Sequence, residues 1–196
     1  MCGLLGMLAA TGNVDKYVDA LERSLPCMRH RGPDAAGTWH DGDAAFGFNR
    51  LSIIDLEHSH QPLRWGPEDQ PDRYAMTFNG EIYNYVELRE ELKGLGYTFH
   101  TEGDGEPIVV GYHHWGKDVV NHLRGMFGIV IWDTHTKTMF AARDQFGIKP
   151  LYYATTPAGT VFASEMKCIL EMADEIGLEL NLDPVSYTHL TLPTKR

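Results

Sequence analysis

Hydrophobic residues recur along this chain in two rhythms: short unbroken apolar runs, and longer stretches with an apolar residue at every third or fourth place. CGLLGMLAA (2–10) is of the first kind, fit for a buried strand, and TGN (11–13) closes it. AAFGFNRLSIID (44–55), YAMTFNG (74–80), MFGIVIWD (126–133), MFAARD (139–144) and PLYYA (150–154) read the same way. The second rhythm predicts helices. Val18, Leu21, Leu25 and Met28 mark one over 15–29, which Pro26 should kink or shorten. Tyr85, Leu88, Leu92 and Leu95 form one face of a helix over 84–96, with glycines following as stop signals. A third starts near Asp104, with Pro107 tolerated in its first turn and Ile108, Tyr112 and Trp115 at helical intervals. VFASEMKCILEMA (161–173) switches from strand to helix near Ser164.

Strands at both ends with helices grouped between them predict a layered α+β arrangement of mostly antiparallel sheets. No internal repeat is visible, and GPEDQPDR (66–73) is a polar, proline-bearing loop. A length of 196 residues suits one domain with a substantial core, and 43% hydrophobic content excludes disorder.

Charge narrows the function. Seventeen basic against twenty-seven acidic residues give a net −10, which argues against nucleic acid or an anionic membrane as partner. No apolar run approaches the ~20 residues of a membrane span, and the N-terminus lacks the basic region of a signal peptide. Cys2, Cys27 and Cys168 are odd in number and widely separated, as expected of reduced thiols in a cytoplasmic protein. His58, His60, His113 and His114 lack further ligands at supporting spacing, so no metal site is expected.

The candidate chemistry starts at the terminus. Removal of Met1 leaves Cys2 with a thiol titrating near ~8.5 beside an α-amine near ~7.7–8.0, a nucleophile with its own base attached. His30 is an alternative base. In FNGEIYN (78–84), Asn79 and Gly80 offer a side-chain amide and a backbone N–H suited to an oxyanion, although Asn-Gly is equally a hairpin turn signal. Absence of a Cβ on Gly80 would also let a ligand approach closely. Arg50 interrupts an apolar run, where a cation must either reach solvent or meet an anion such as an α-carboxylate. Asp104 could hold an α-ammonium or simply cap a helix. RHRGPD (29–34) and ARDQFGIKPLYY (142–153) read as structural turns, and Cys27 and Cys168 as small core residues.

Taken in order, MCG, RHRGPD, NRLSIID, NGEIYN, GMFG, ARDQFGIKPLYY and ASEMK resemble the class II glutamine amidotransferase domains. Within that family the series is most similar to the glutaminase half of bacterial glutamine-hydrolysing asparagine synthetases, over residues 1–183. The resemblance implies an N-terminal-nucleophile hydrolase fold, a four-layer αββα sandwich with two antiparallel sheets. It implies Cys2 as nucleophile, with Asn79 and Gly80 forming the oxyanion hole. Arg50 would hold the carboxylate of L-glutamine, Leu51, Ser52, Ile53, Ile54 and Glu81 would complete the substrate contacts, and Asp104 would take the α-amine. No cofactor is implied for this half-reaction.

In such enzymes a synthetase domain, using ATP and Mg²⁺, follows at the C-terminus. No SGGxDS-like pyrophosphate loop occurs here, so that domain is expected to be missing as a partner, and a homodimer is allowed. PVSYTHLTLPTKR (184–196) holds no acidic residue, follows no apolar period and resembles a translated sequencing adapter, so it is expected to be non-native. Open alternatives are a class II amidotransferase with another ammonia acceptor and a non-catalytic domain that only binds amino acids. The first is disfavoured for hexosamine and purine branches by the absence of an HTRWATHG-like run, the second by an intact Cys2.

Overall fold

The structure is a computed structural model, and it describes residues 2–51 and 61–180. Met1, Ser52, Ile53, Ile54 and the segment 184–196 lie outside the described residues.

Alternation along the first strand sets the architecture. In β1 (Gly3–Ala9), Leu5, Met7 and Ala9 pack into a cluster formed with helices, while Leu4 and Leu8 pack against a second sheet. A strand buried on both faces needs the continuous apolar run that the sequence supplies. Leu4 and Leu5 are both fully buried, and each contributes about 2 kcal/mol by leaving water. That burial is what stops an N-terminal segment from fraying.

The elements that follow are α1 (Asp15–Ser24), a 3-10 helix (Leu25–Arg31), β2 (Ala35–His40), β3 (Ala44–Arg50), β4 (Leu63–Trp65), β5 (Tyr74–Ile82), α2 (Tyr85–Gly94) and α3 (Glu106–Trp115). A second 3-10 helix (Gly116–Asn121), β6 (Gly125–Asp133), β7 (Thr138–Arg143), β8 (Tyr152–Thr156), β9 (Gly159–Ala163), α4 (Met166–Glu171) and α5 (Ala173–Ile176) complete the described order. Five strands form one antiparallel sheet, β2-β3-β1-β9-β8, and four form another, β4-β5-β6-β7.

Three apolar clusters separate four layers. Leu4, Phe46, Ala75, Val130 and Trp132 fill the space between the sheets. Outside the first sheet, Met7 and Val161 meet Leu21 of α1 and Ile169 of α4. Outside the second, Met76 and Ile129 meet Leu88 and Leu92 of α2 and Ile108 of α3. The αββα sandwich implied by the motif series is therefore the architecture present.

Several boundaries differ from the sequence reading. The helix expected over 15–29 breaks at Pro26: α1 stops at Ser24, and Pro26 enters the first turn of the 3-10 segment. Strand β5 runs on to Ile82, so Asn79 and Gly80 lie inside a strand and form no hairpin turn. β2 and β4 gave no sequence signal. The first is a half-exposed edge strand and the second only three residues long, so neither carries an apolar run.

Candidate active site

Cys2 stands one residue before β1, beside a strand end held on both flanks. Gly3 pairs with Asn49 of β3. On the other side, Leu4 N–H donates to Ser164 Oγ at 3.2 Å, and Ser164 N–H donates to the Leu4 carbonyl at 2.9 Å. The Cys2 sulfur accepts from Leu51 N–H at 3.4 Å, and its thiol points to the Leu51 carbonyl at 3.6 Å. Antiparallel register then sets Arg50 opposite Cys2 on the inner face shared by Phe46 and Leu4. Arg50 is only 8% exposed, so its cation points into the sandwich.

RHRGPD braces this strand end from below. A Cβ on Gly32 would fall 2.2 Å from the Asn49 carbonyl oxygen, so only glycine lets the chain pass, and Asp34 N–H donates to the Arg50 carbonyl at 3.1 Å. Arg31 and His30 both meet Glu165 of ASEMK, at 2.5 and 3.3 Å. His30 is thus turned to a carboxylate, with more than half its side chain in solvent.

The facing wall is β5. Its odd positions point inward, since Ala75 belongs to the inter-sheet cluster while Met76, Phe78 and Ile82 belong to the helix side. Asn79 and Glu81 therefore face the first sheet. Stacking fixes the height: a Cβ on Gly6 would lie 3.8 Å from Val130, and one on Gly128 would lie 3.8 Å from Leu4. Two residues before Leu4 comes Cys2, and on the facing sheet Gly128, which approaches Leu4, is paired to Asn79, while Met126 is paired to Glu81. Asn79 is fully buried, and neither Oδ1 nor Nδ2 of its amide has a hydrogen-bond partner. Such a group is costly unless something else completes it.

Gly80 adds a backbone donor. Tyr83 N–H donates to Arg124 across the β5–β6 ladder, so the odd residues of β5 bond β6 and the even ones face the opposite edge. Along that edge, Gln61 serves Phe78, its Nε2 donating to the carbonyl at 2.7 Å and its Oε1 accepting from N–H at 3.1 Å. Asp104 Oδ2 accepts from Ile82 N–H at 2.9 Å. Between them the Gly80 N–H points to the same edge as Phe78 and Ile82. A Cβ on Gly80 would meet the Met126 carbonyl at 2.2 Å, so the close approach of β6 alone requires glycine here.

Asp104 does not cap its helix: α3 has Gly105 at its N-cap and no side-chain cap bond. Its carboxylate stands on the β5 edge beside the site. Burial raises its pKa, outweighing the Ile82 and Asp104 N–H groups that lower it, and Glu81 adds to the rise. A carboxylate so placed gains from a cation.

Two residues of this region were not singled out from the sequence. Gln61 carried no signal, because its work is to complete a strand edge. Lys149 is 3% exposed at the end of the turn that Asp144 builds, and a lysine set between Ile148 and Pro150 was the available clue. Burial lowers its pKa; Glu81, Asp144 and Cys2 oppose that and Arg31 reinforces it, so its ammonium is within electrostatic reach of the site. Cys168 is fully buried among helices, where burial pushes its thiol up to about 12 and out of competition as a nucleophile. Cys27 packs against the same cluster.

One end of the sandwich thus gathers Cys2, Arg50, Leu51, Asn79, Gly80, Glu81 and Lys149, with Asp104 on the adjoining edge. The family described as a glutamine amidotransferase domain matches residues 1–192. A Mycobacterium tuberculosis protein provisionally named a glutamine-hydrolysing asparagine synthetase is 53% identical, over 98% of this chain and 31% of its own length. Asparagine synthetase (glutamine-hydrolysing) 1 of Bacillus subtilis is 42% identical, over 91% of this chain and 28% of its own. The chain therefore spans less than a third of the length of these curated relatives. Among solved structures, Bacillus subtilis glutamine phosphoribosylpyrophosphate amidotransferase superposes with a TM-score of 0.67 at 21% identity, covering 90% of this chain and 44% of that one. At that identity the likeness is one of fold.

Proposed function

The chain belongs to the glutamine amidotransferase domain family, and from that premise we propose that it hydrolyses L-glutamine to glutamate and ammonia at Cys2. The observation that carries the reading is the buried, unpartnered Asn79 amide on the wall facing Cys2, with the Gly80 N–H at the neighbouring edge. Both are donors at a place where an oxyanion would form.

After Met1 is removed, the α-amine takes the thiol proton and the sulfur attacks the side-chain amide carbon of glutamine. The tetrahedral oxyanion rests against Asn79 and Gly80. The protonated amine then gives its proton to the leaving nitrogen, which departs as ammonia and leaves a γ-glutamyl thioester. Water, deprotonated by the same amine, attacks the thioester; glutamate leaves and the thiol is restored. Arg50 would grip the substrate carboxylate and Asp104 its ammonium, with Leu51 and Glu81 completing the contacts among the described residues. In the longer relatives' arrangement the ammonia would go to ATP-dependent amidation of aspartate, and the three free thiols suit a cytoplasmic setting.

The test is glutamine-dependent ammonia release by this chain, together with intact-mass analysis after treatment with a diazoketone analogue of glutamine. One adduct on a terminus lacking Met1, blocked by excess glutamine, is expected. Labelling at Cys27 or Cys168, or glutamine binding without turnover, would overturn the hydrolytic reading in favour of a non-catalytic amino-acid-binding domain.

A further inference from the structure

Arg89 of α2 is a charge where a helix needs none. Leu88 and Leu92, buried on the same helix, are apolar, yet Arg89 is only 5% exposed, and its Nε has no hydrogen-bond partner among the described residues. A guanidinium buried at that cost is not explained by packing. Its other two nitrogens reach the loop 100–105 that leads to α3. Nη1 donates to Glu102 Oε2 at 2.6 Å, and Nη2 donates to the Gly103 carbonyl at 2.7 Å. The Glu102 side chain is almost wholly in solvent, so that ion pair contributes little, and the buried bond to Gly103 is the one that matters. This carbonyl lies in the peptide plane that carries the Asp104 N–H and ends at the Asp104 Cα. Fixing it fixes the root of the Asp104 side chain. The loop is tied from its other flank as well. Glu106, buried, accepts from His100 N–H at 2.9 Å and from Thr101 N–H and Oγ1 at 2.7 and 2.8 Å. The rings of Phe99 and Tyr85 lie 5.3 and 5.9 Å from the guanidinium carbon and steady it. So held, Asp104 Oδ2 meets Ile82 N–H at 2.9 Å on the β5 edge that Gly80 shares.

We propose that Arg89 is a positioning residue for recognition of the substrate's α-amine: through the Gly103 carbonyl it sets the Asp104 carboxylate where the ammonium of glutamine binds. The proposal deepens the function given above and rests on its assignment of Asp104 to that ammonium. Arg89 touches neither the substrate nor the reacting atoms. Its loss frees the Gly103–Asp104 peptide and misplaces one carboxylate, so it weakens the grip on the amine and leaves the rest of the ligand's contacts as they were.

The experiment compares two ligands, L-glutamine and 4-carbamoylbutanoate, which is the same molecule without its α-amine. Affinities are read by NMR titration in the Cys2→Ala chain, which lacks the thiol and so binds without turnover. Arg89→Met keeps the apolar stem; in it the Kd for L-glutamine should rise about fivefold while that for 4-carbamoylbutanoate stays unchanged. Asp104→Asn should show the same selectivity, and adding Arg89→Met to it should raise the Kd no further, because both act on one contact. If Arg89→Met does not fold, Arg89→Gln carries the same expectation. A merely structural role would weaken both ligands together; that result, or no weakening of either, overturns the proposal, as does an Arg89→Met effect that adds in full to Asp104→Asn. Glutamine binding untouched by Asp104→Asn would remove the assignment of Asp104 and this proposal with it. Because binding needs no turnover, the expected selectivity in a chain whose intact Cys2 form does not hydrolyse glutamine would sustain the role of Arg89 and remove only the hydrolytic reading.

Discussion

The two ends of β5 sit in the same sandwich and are built to opposite rules. At the Tyr74 end every buried charge is answered. Arg73 donates from Nε and Nη2 to the two oxygens of Asp133 at 2.9 and 2.7 Å, and Asp133 also accepts from His135 and Thr136 N–H. Trp132 Nε1 donates to Asp41 at 2.6 Å, and Lys137 reaches Asp43 at 2.6 Å. At the other end, five residues beyond Tyr74, the Asn79 amide is buried with both atoms unanswered, and the Gly80 N–H points away from β6. In the loop leading to Tyr74, Gln70 Oε1 is also without a partner, so what sets Asn79 apart is an open donor and an open acceptor in one buried amide, which a ligand could complete together. The ion pairs that stabilise the fold lie at the first end, and the chemistry we propose lies at the second.

Asn79→Ala is the sharpest way to break that contrast. Removing an oxyanion donor should lower kcat about 10²- to 10³-fold. No intramolecular hydrogen bond is lost, so the melting temperature should hold within a few degrees. Steady-state kinetics and a thermal melt on one sample decide it. A large fall in melting temperature with kcat intact would mean that both ends serve stability alike.

Asp133→Asn tests the opposite end. Truncating the charge of a nearly buried carboxylate strands Arg73, and the expected loss is about 3 kcal/mol of unfolding free energy, with kcat at 25 °C changed less than twofold. The pH dependence follows from the same pair. Burial alone would raise the Asp133 pKa, but Arg73 and the Thr136 and His135 N–H groups bring it down to about 2. A folded pKa below the unfolded one contributes stability that is complete above about pH 4 and is lost as pH falls toward 2, about 2 kcal/mol in all. Urea titrations between pH 5 and 2 should show that slope in the parent chain, and Asp133→Asn should flatten it.

The contrast also explains what could be read from sequence. Buried strands with unbroken apolar runs were legible, because burial on both faces writes itself into composition; β1, β5 and β6 are of this kind. The edge strands β2 and β4 were not, since half their positions face solvent or lie in three residues. Arg50 was legible as a cation out of place in an apolar run, and Lys149 had the same mark, but ARDQFGIKPLYY read first as a turn. Asn79 and Gly80 were recognised for their donors and misjudged for their geometry. Asn-Gly usually turns a chain, and only the tight approach of β6 shows why glycine is kept inside a strand. Gln61 was invisible, because completing a strand edge with a side-chain amide needs a tertiary neighbour that no local pattern announces.

The smallest expected effect lies where the two rules meet. Asp104 spends one oxygen on Ile82 N–H, as a structural residue would, and stands beside Gly80 with a pKa that burial has raised. Protonation as pH falls would remove the charge proposed to hold the substrate ammonium, so kcat/KM should decline on the acid side from above the usual carboxylate range. Asp104→Asn keeps an oxygen for Ile82 and loses the charge; KM should rise about tenfold with kcat nearly unchanged, and the acid limb due to this group should vanish. Stability carries the opposite sign to Asp133. A raised folded pKa means that the folded chain holds the proton more tightly, so its contribution is present at low pH and lost as pH rises through that pKa. Asp104→Asn should therefore be slightly more stable than the parent at pH 7 and equal to it in acid. A melting temperature that falls at neutrality while KM stays put would make Asp104 a strand cap and nothing more.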